Sequence, residues 1–275
     1  NFDLLIKITY FYLEIYKIYH IMINFVGIEI GGTKLQHFVG SEQGEILDKY
    51  RSEVGVEKAA EGIRESILET VGEIVRKYPV SAIGIGFGGP VDHQHGMAVR
   101  SFQVKGWEYF RLSEWLERMT GLPVFVENDA NLAALAEAHH GAGRGFKRLF
   151  YVTLGSGVGG GFIIDGEIYH GQQPGESEIG HVRFSKDGTR VEDKCSGWAM
   201  NKKIRGYIGA HPESALAARI SDETLPESSY LAEAMAAGDP GAFEIFMDTM
   251  DDLAFALSHV VHLNHPDALV IGGGL

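Results

Sequence analysis

The sequence predicts an α/β protein with an internally duplicated core, and three observations carry that prediction. A unit of strand, glycine turn, strand, polar turn and strand at residues 26–50 recurs at residues 149–171, and self-similarity of this kind marks duplication. The first copy is followed by an amphipathic helix and an apolar strand, the order expected of an α/β layer. The 275 residues, 45% of them hydrophobic, can fill two cores at roughly 100 to 200 residues per domain. The expected domains are residues 22–122 and 123–275, with residues 1–21 as an extension outside the fold.

The elements follow in order. Val26, Ile28 and Ile30 mark a first strand, Gly31-Gly32-Thr33-Lys34 a tight turn, and a second strand, the turn SEQGE and a third strand ILDKY complete the unit. Residues 56–78 place Ile63, Ile67, Val71 and Ile74 at helical spacing on a charged surface. VSAIGIGF then reads as a strand ending in Gly88-Gly89-Pro90. A helix from about Ser113, a strand VFVE and a helix opening near Asp129 and ending at Gly141 come next. The second copy has the strand LFYVTL, a glycine turn over 155–161, the strand FII, the turn DGE and IYHG. ALVIGGGL has the form of a buried strand running into a glycine turn, which normally introduces another element, so more chain is expected after Leu275.

The formal net charge is −13, from 24 Lys+Arg against 37 Asp+Glu, and it leaves no basic footprint for nucleic acid. Cys195 stands alone, so it forms no internal disulfide and fits a reducing, cytoplasmic compartment. The opening stretch NFDLLIKITYFYLEIYKIYHI lacks Gly and Pro and differs from all that follows. Lys7, Glu14 and Lys17 interrupt its apolar run, which argues against a signal peptide and a membrane span of about 18 residues and leaves an amphipathic interfacial helix as the alternative to a start further on. Met22 is expected as the natural first residue.

The 36 glycines are nearly twice the roughly 7% of average usage. Gly155, Gly157 and Gly160 satisfy G-x-G-x-x-G, but they lead into Phe162-Ile163-Ile164 rather than a helix, so a dinucleotide fingerprint is rejected. Glycine hairpins can still cradle phosphate, because successive backbone N–H groups approach one anion. Thr33 and Thr153 or Ser156 would add hydroxyls and Lys34 a charge. Asp129 sits at a strand-to-helix junction, where it either caps the helix or, at the carboxyl end of a strand, meets a ligand. In GESEIGHVRFS, Glu176, Glu178 and His181 lie within six positions, and surface solvation or a structural histidine is the plain alternative. His259, His262 and His265 read as a polar helix face rather than a metal site.

Taken together and in this order, GIEIGGTK, GIGFGGPVD, VENDANLAALAE, TLGSGVGGGFIIDGE and GESEIGH resemble the bacterial ROK sugar kinases, of the superfamily of actin, hexokinase and the heat-shock chaperone ATPases. The resemblance runs from about Phe25 to Leu275. It implies an actin-like, ribonuclease H-like duplicated fold whose two domains close on their substrates, and transfer of the γ-phosphoryl group of ATP, with Mg2+, to a hexose hydroxyl. By resemblance, Asp129 is the catalytic base. Gly89, Gln103, Asn128, Glu178 and His181 join Asp129 in binding sugar. Gly31, Gly32, Thr33 and Lys34 form the first phosphate loop, and Thr153, Gly155, Ser156 and Gly157 the second. Gly272, Gly273 and Gly274 begin the adenosine side. A homodimer is left open as the assembly.

Three departures qualify the resemblance. The zinc segment C-x-C-G-x-x-G-C-x-E appears as DKCSGWAMNKK; one Cys and His181 cannot complete a four-coordinate site without other ligands, so no zinc is expected and no residue is assigned as a metal ligand, and the segment's final Glu, a sugar contact, reads as missing. The Asn-Leu-x-Trp segment appears as SFQVKGW, with Gln103 or its neighbours near the Asn position. Glu29 replaces the usual Asp of the first phosphate motif. The same family includes sugar-responsive repressors, but 21 residues ahead of Met22 are too few for their winged-helix module.

Overall fold

The computed structural model describes residues 23–32, 34–53, 59–172, 177–220 and 225–275. Two sheets organise it. The first is built from β1 (Asn24–Ile30), β2 (Lys34–Ser41), β3 (Ile46–Glu53), β4 (Val80–Phe87) and β7 (Val124–Asn128) in the order β3-β2-β1-β4-β7. β1, β2 and β3 form an antiparallel meander, while β4 runs parallel to β1 and β7 parallel to β4. The second sheet contains β8 (Arg148–Leu154), β9 (Val158–Ile164), β10 (Glu167–Ile168) and β11 (Ala268–Gly273) in the order β10-β9-β8-β11, again a meander with one parallel strand added beside its first member. The order β3-β2-β1-β4 of the first sheet matches β10-β9-β8-β11 of the second, with β7 added only to the first, so the repeat read in the sequence is a repeat in topology. A short hairpin, β5 (Val91–Asp92) with β6 (Met97–Ala98), follows β4.

Helix α1 (Ala59–Lys77) and α2 (Leu112–Thr120) belong to the first half. The Ile63, Ile67, Val71 and Ile74 stripe is buried together with Val26, Ile28 and Ile30 of β1, Leu35 and Val39 of β2, and Ile83 and Ile85 of β4. Each such side chain contributes about 1.5–3 kcal/mol by leaving water. Helix α2 ends because Gly121 takes φ 72 and its N–H donates to Glu117 O at 2.8 Å, a left-handed cap that a Cβ would strain. Helix α3 (Asp129–His140) starts where β7 stops. In the second half, α4 (Glu192–Cys195), α5 (Gly197–Ala210), α6 (Ala215–Arg219), α7 (Leu231–Ala236) and α8 (Pro240–Asn264) intervene between β10 and β11. The chain divides into two compact units at Asp129/Ala130. No helix among the described residues is long and apolar enough to cross a membrane.

Two expectations need correction. The glycine run 155–161 is not one turn, because β9 already begins at Val158. A Cβ on Gly161 would lie 2.6 Å from Ala134 Cβ and one on Gly159 3.1 Å from Ala130 Cβ, so these glycines let α3 lie directly on the sheet. Nor is β11 buried: Ala268 and Val270 pack on Leu149, Tyr151 and Ile163, while Leu269 and Ile271 are exposed. Its pairing is with β8, and Gly272 and Gly273 continue the strand opposite Thr153 and Leu154 instead of turning out of it.

Candidate active site

In the first unit the site is built by register. Ile30, Phe87 and Asn128 are aligned across the parallel strands β1, β4 and β7, so their successors Gly31, Gly88 and Asp129 emerge side by side at the carboxyl ends. Open α/β sheets place ligands there. Gly88 N–H donates to Ile30 O at 2.9 Å, and a Cβ on Gly88 would lie 3.2 Å from that oxygen, 3.5 Å from Asp129 Oδ2 and 3.7 Å from Gly31 Cα. The absence of a side chain at Gly88 thus opens the surface that the Asp129 carboxylate faces. Asn128 Nδ2 donates to Gly89 O at 3.2 Å, tying β7 to the same corner. Asp129 is exposed, and it is the first residue of α3, where the helix dipole favours its ionised form.

The turn from β1 into β2 is closed by Gly31 N–H donating to Lys34 O at 3.0 Å, and Lys34 is exposed. Two residues upstream, Glu29 Oε2 accepts from Gln36 Nε2 at 2.8 Å. Gln103 packs against Gly32, where a Cβ would overlap its side-chain carbonyl. Gly89 is approached equally closely, its would-be Cβ lying 2.6 Å from Arg100 O. Six of the expected residues, Gly31, Gly32, Gly89, Gln103, Asn128 and Asp129, are therefore gathered at one edge of one sheet. Thr33 and Glu176 lie outside the described residues.

In the second unit the equivalent edge carries the second loop. Thr153 and Leu154 end β8, Gly155 N–H donates to Gly157 O at 3.0 Å, and Leu275 N–H donates to Leu154 O at 3.1 Å, much as Gly88 donates to Ile30 in the first unit. The loop is backed by the start of α5: Gly197 N–H donates to Gly155 O at 2.8 Å and Trp198 N–H to Ser156 O at 3.4 Å. Ser196 caps that helix, its Oγ accepting from Ala199 N at 3.1 Å. Gly274 follows β11 beside this edge, with Gly272 and Gly273 in the strand. Glu178 is half-buried and precedes a 3₁₀ turn (Ile179–His181) that ends in the exposed His181 and whose Gly180 presses on the Val158 backbone at the start of β9.

Sequence reasoning missed Glu192. Its Oε2 accepts from Val158 N at 3.2 Å and lies 2.5 Å from where a Cβ on Gly157 would be, which places a carboxylate against the second loop from 34 positions away. The local pattern carries no signal for such a contact. Cys195 is fully buried, its Sγ donating to Thr249 O at 4.0 Å, and burial pushes its thiol up to about 11. That favours the neutral thiol of a packed hydrophobe over the thiolate that metals need.

Comparison with known proteins fits this arrangement. A sequence model of the ROK family matches residues 25–275. The glucokinase of Thermotoga maritima is 32% identical over 262 residues, covering 92% of this chain and 82% of its own length. That of Halalkalibacterium halodurans is 31% identical, covering 91% and 80%. Among solved structures, a ROK family glucokinase from Streptomyces griseus in complex with glucose and AMPPNP superposes with a TM-score of 0.80 at 32% identity, covering 91% of this chain and 83% of that one. With a duplicated actin-like core and a family match over most of its length, the chain belongs to the ROK family.

Proposed function

We propose that this chain is an ATP-dependent sugar kinase that transfers the γ-phosphoryl group of MgATP to a hexose hydroxyl, the 6-hydroxyl of glucose or of a close relative. The observation that carries this reading is the Asp129 carboxylate at the carboxyl end of β7, beside the open Gly31–Gly88 corner. The glucokinase relatives, and the glucose and AMPPNP held by the S. griseus enzyme, support it.

In this reading Asp129 accepts the hydrogen bond of the attacking hydroxyl and orients it. A helix-start carboxylate is a weak base, and that suffices, because phosphoryl transfer through a loose transition state demands little proton abstraction early. Asn128, Glu178, His181 and Gly89 are proposed as sugar contacts. The turns 31–34 and 155–157, with Thr153, are proposed to hold the phosphates, Lys34 adding positive charge, and Gly272–Gly274 to meet the nucleoside side. The structure favours the second loop for this task in a specific way. The α5 N–H groups take up the carbonyls of Gly155 and Ser156, which draws their negative ends toward the helix and away from an incoming anion. Mg2+ enters as part of the nucleotide substrate.

A coupled assay of ADP release over a panel of hexoses and amino sugars tests this directly. ADP formation that depends on an added hexose, with glucose or a near relative preferred, is the expected result. ATP hydrolysis that ignores the sugar, or no turnover with any of them, would refute the reading.

A further inference from the structure

The residue that departs from the family pattern at the acceptor loop is also the one that touches the first phosphate turn. A Cβ built on Gly32 would lie 2.9 Å from Gln103 Cβ and would overlap the side-chain carbonyl, so the Gln103 amide occupies the space that glycine leaves. The segment bearing Gln103 is anchored on both sides. Val99 N–H donates to Pro90 O at 3.0 Å, Ser101 Oγ accepts from Gln103 N at 3.2 Å and Val104 N at 3.1 Å, and Val104 and Trp107 are buried. Trp107 packs edge-on to Phe87, the last residue of β4. Gln103 is exposed, and its side-chain amide makes no hydrogen bond among the described residues. Its packing on Gly32 is therefore fixed by the anchored loop and not by a polar tether of its own.

We propose that Gln103 is a positioning residue for the phosphoryl donor: its amide holds Gly32, and with it the Gly31–Lys34 turn, in register with the loop 99–104. The part of this that concerns the donor rests on the kinase reading above; the packing itself does not. A shorter side chain would leave a gap over Gly32, and the turn would lose the wall that fixes it. Length and planarity of the side chain matter here, so a carboxylate of equal shape keeps the wall while a truncated side chain removes it.

The test uses the full chain with three substitutions. Amide hydrogen exchange in the ligand-free protein reads the turn directly, at the Gly31 N–H bonded to Lys34 O. Gln103→Ala is expected to speed that exchange about 5- to 10-fold, Gln103→Asn less, and Gln103→Glu to leave it near wild type. Calorimetry with AMPPNP, without sugar, reads the consequence: about 5- to 10-fold weaker binding in Gln103→Ala, partly restored in Gln103→Asn. Unchanged exchange in Gln103→Ala overturns the proposal. So does faster exchange with unaltered AMPPNP affinity and a changed hexose KM, because Gln103 would then serve the acceptor alone. Faster exchange in a protein whose wild type does not bind AMPPNP supports the positioning role and defeats the kinase reading instead.

Discussion

The two units repeat one strand plan but use their glycines differently. In the first sheet, Gly84 in β4 has nothing within 4 Å of its would-be Cβ, and Gly27 meets only Phe38 atoms at 3.9 Å. In the second, Gly159 and Gly161 in β9 lie under α3, so close that a methyl group on Gly161 would collide with Ala134 and one on Gly159 would press on Ala130. The turns at the strand ends differ as well. The first is closed on itself through Gly31 and Lys34 and faces the carboxylate of Asp129; the second is backed by a helix start through Gly197 and Trp198. Duplication has supplied two similar edges, and the residues around them place a carboxylate beside one and a helix start behind the other.

The largest predicted effect breaks the first edge. Asp129→Asn keeps the shape but removes the acceptor charge, and kcat should fall by about 10²- to 10⁴-fold while AMPPNP affinity, measured by calorimetry, stays within about twofold. At the second edge, a Cβ on Gly197 would sit 2.7 Å from Gly155 O. Gly197→Ala should push α5 away from the loop, raising the KM for ATP about tenfold and leaving the sugar KM nearly unaltered, as steady-state kinetics with each substrate varied would show.

A pair of glycine substitutions sharpens the contrast between the sheets. Gly161→Ala should cost about 1–3 kcal/mol in urea unfolding because α3 must shift. Gly84→Ala, in open space, should change stability by no more than about 0.5 kcal/mol. Equal losses at the two positions would contradict the packing account.

Much of this layout was legible in the sequence. The apolar periods gave every main strand and helix of the first unit, because side chains such as Ile63, Ile67 and Ile74 are buried by the period itself. The junction at Asn128-Asp129 was legible for the same reason, since a strand period changes to a helix there. The glycines were harder. Composition alone does not separate Gly157 in a turn from Gly161 beneath a helix, because both roles demand only a missing Cβ. Glu192 was invisible, since its partner Val158 is brought to it by the fold. Gln103 was assigned to sugar by resemblance, and its packing on Gly32 depends on a loop whose path no local pattern specifies.

A further effect, confined to acid pH, concerns stability. His37 is buried in β2, its Nε2 has no hydrogen-bond partner among the described residues, and burial lowers its pKa to about 4. The folded pKa thus lies below the ordinary value of 6.5, so the native state favours the neutral ring. Its contribution is fully present above about pH 6.5, declines as pH falls toward 4, and is limited to roughly 3 kcal/mol. His37→Leu should flatten that part of the stability profile, measured as the urea midpoint between pH 7 and pH 4. An unchanged slope would show that His37 is not its source.

The central claim, that a hydroxyl oriented by Asp129 receives the γ-phosphoryl group, is tested most directly by phosphorus NMR of a mixture of enzyme, MgATP and the hexose preferred in the ADP assay. The account predicts a new phosphomonoester signal split by the two methylene protons at C6 with wild type, and none over the same time with Asp129→Asn. Inorganic phosphate and ADP as the only new species, or an equal phosphomonoester signal from the two proteins, would contradict it.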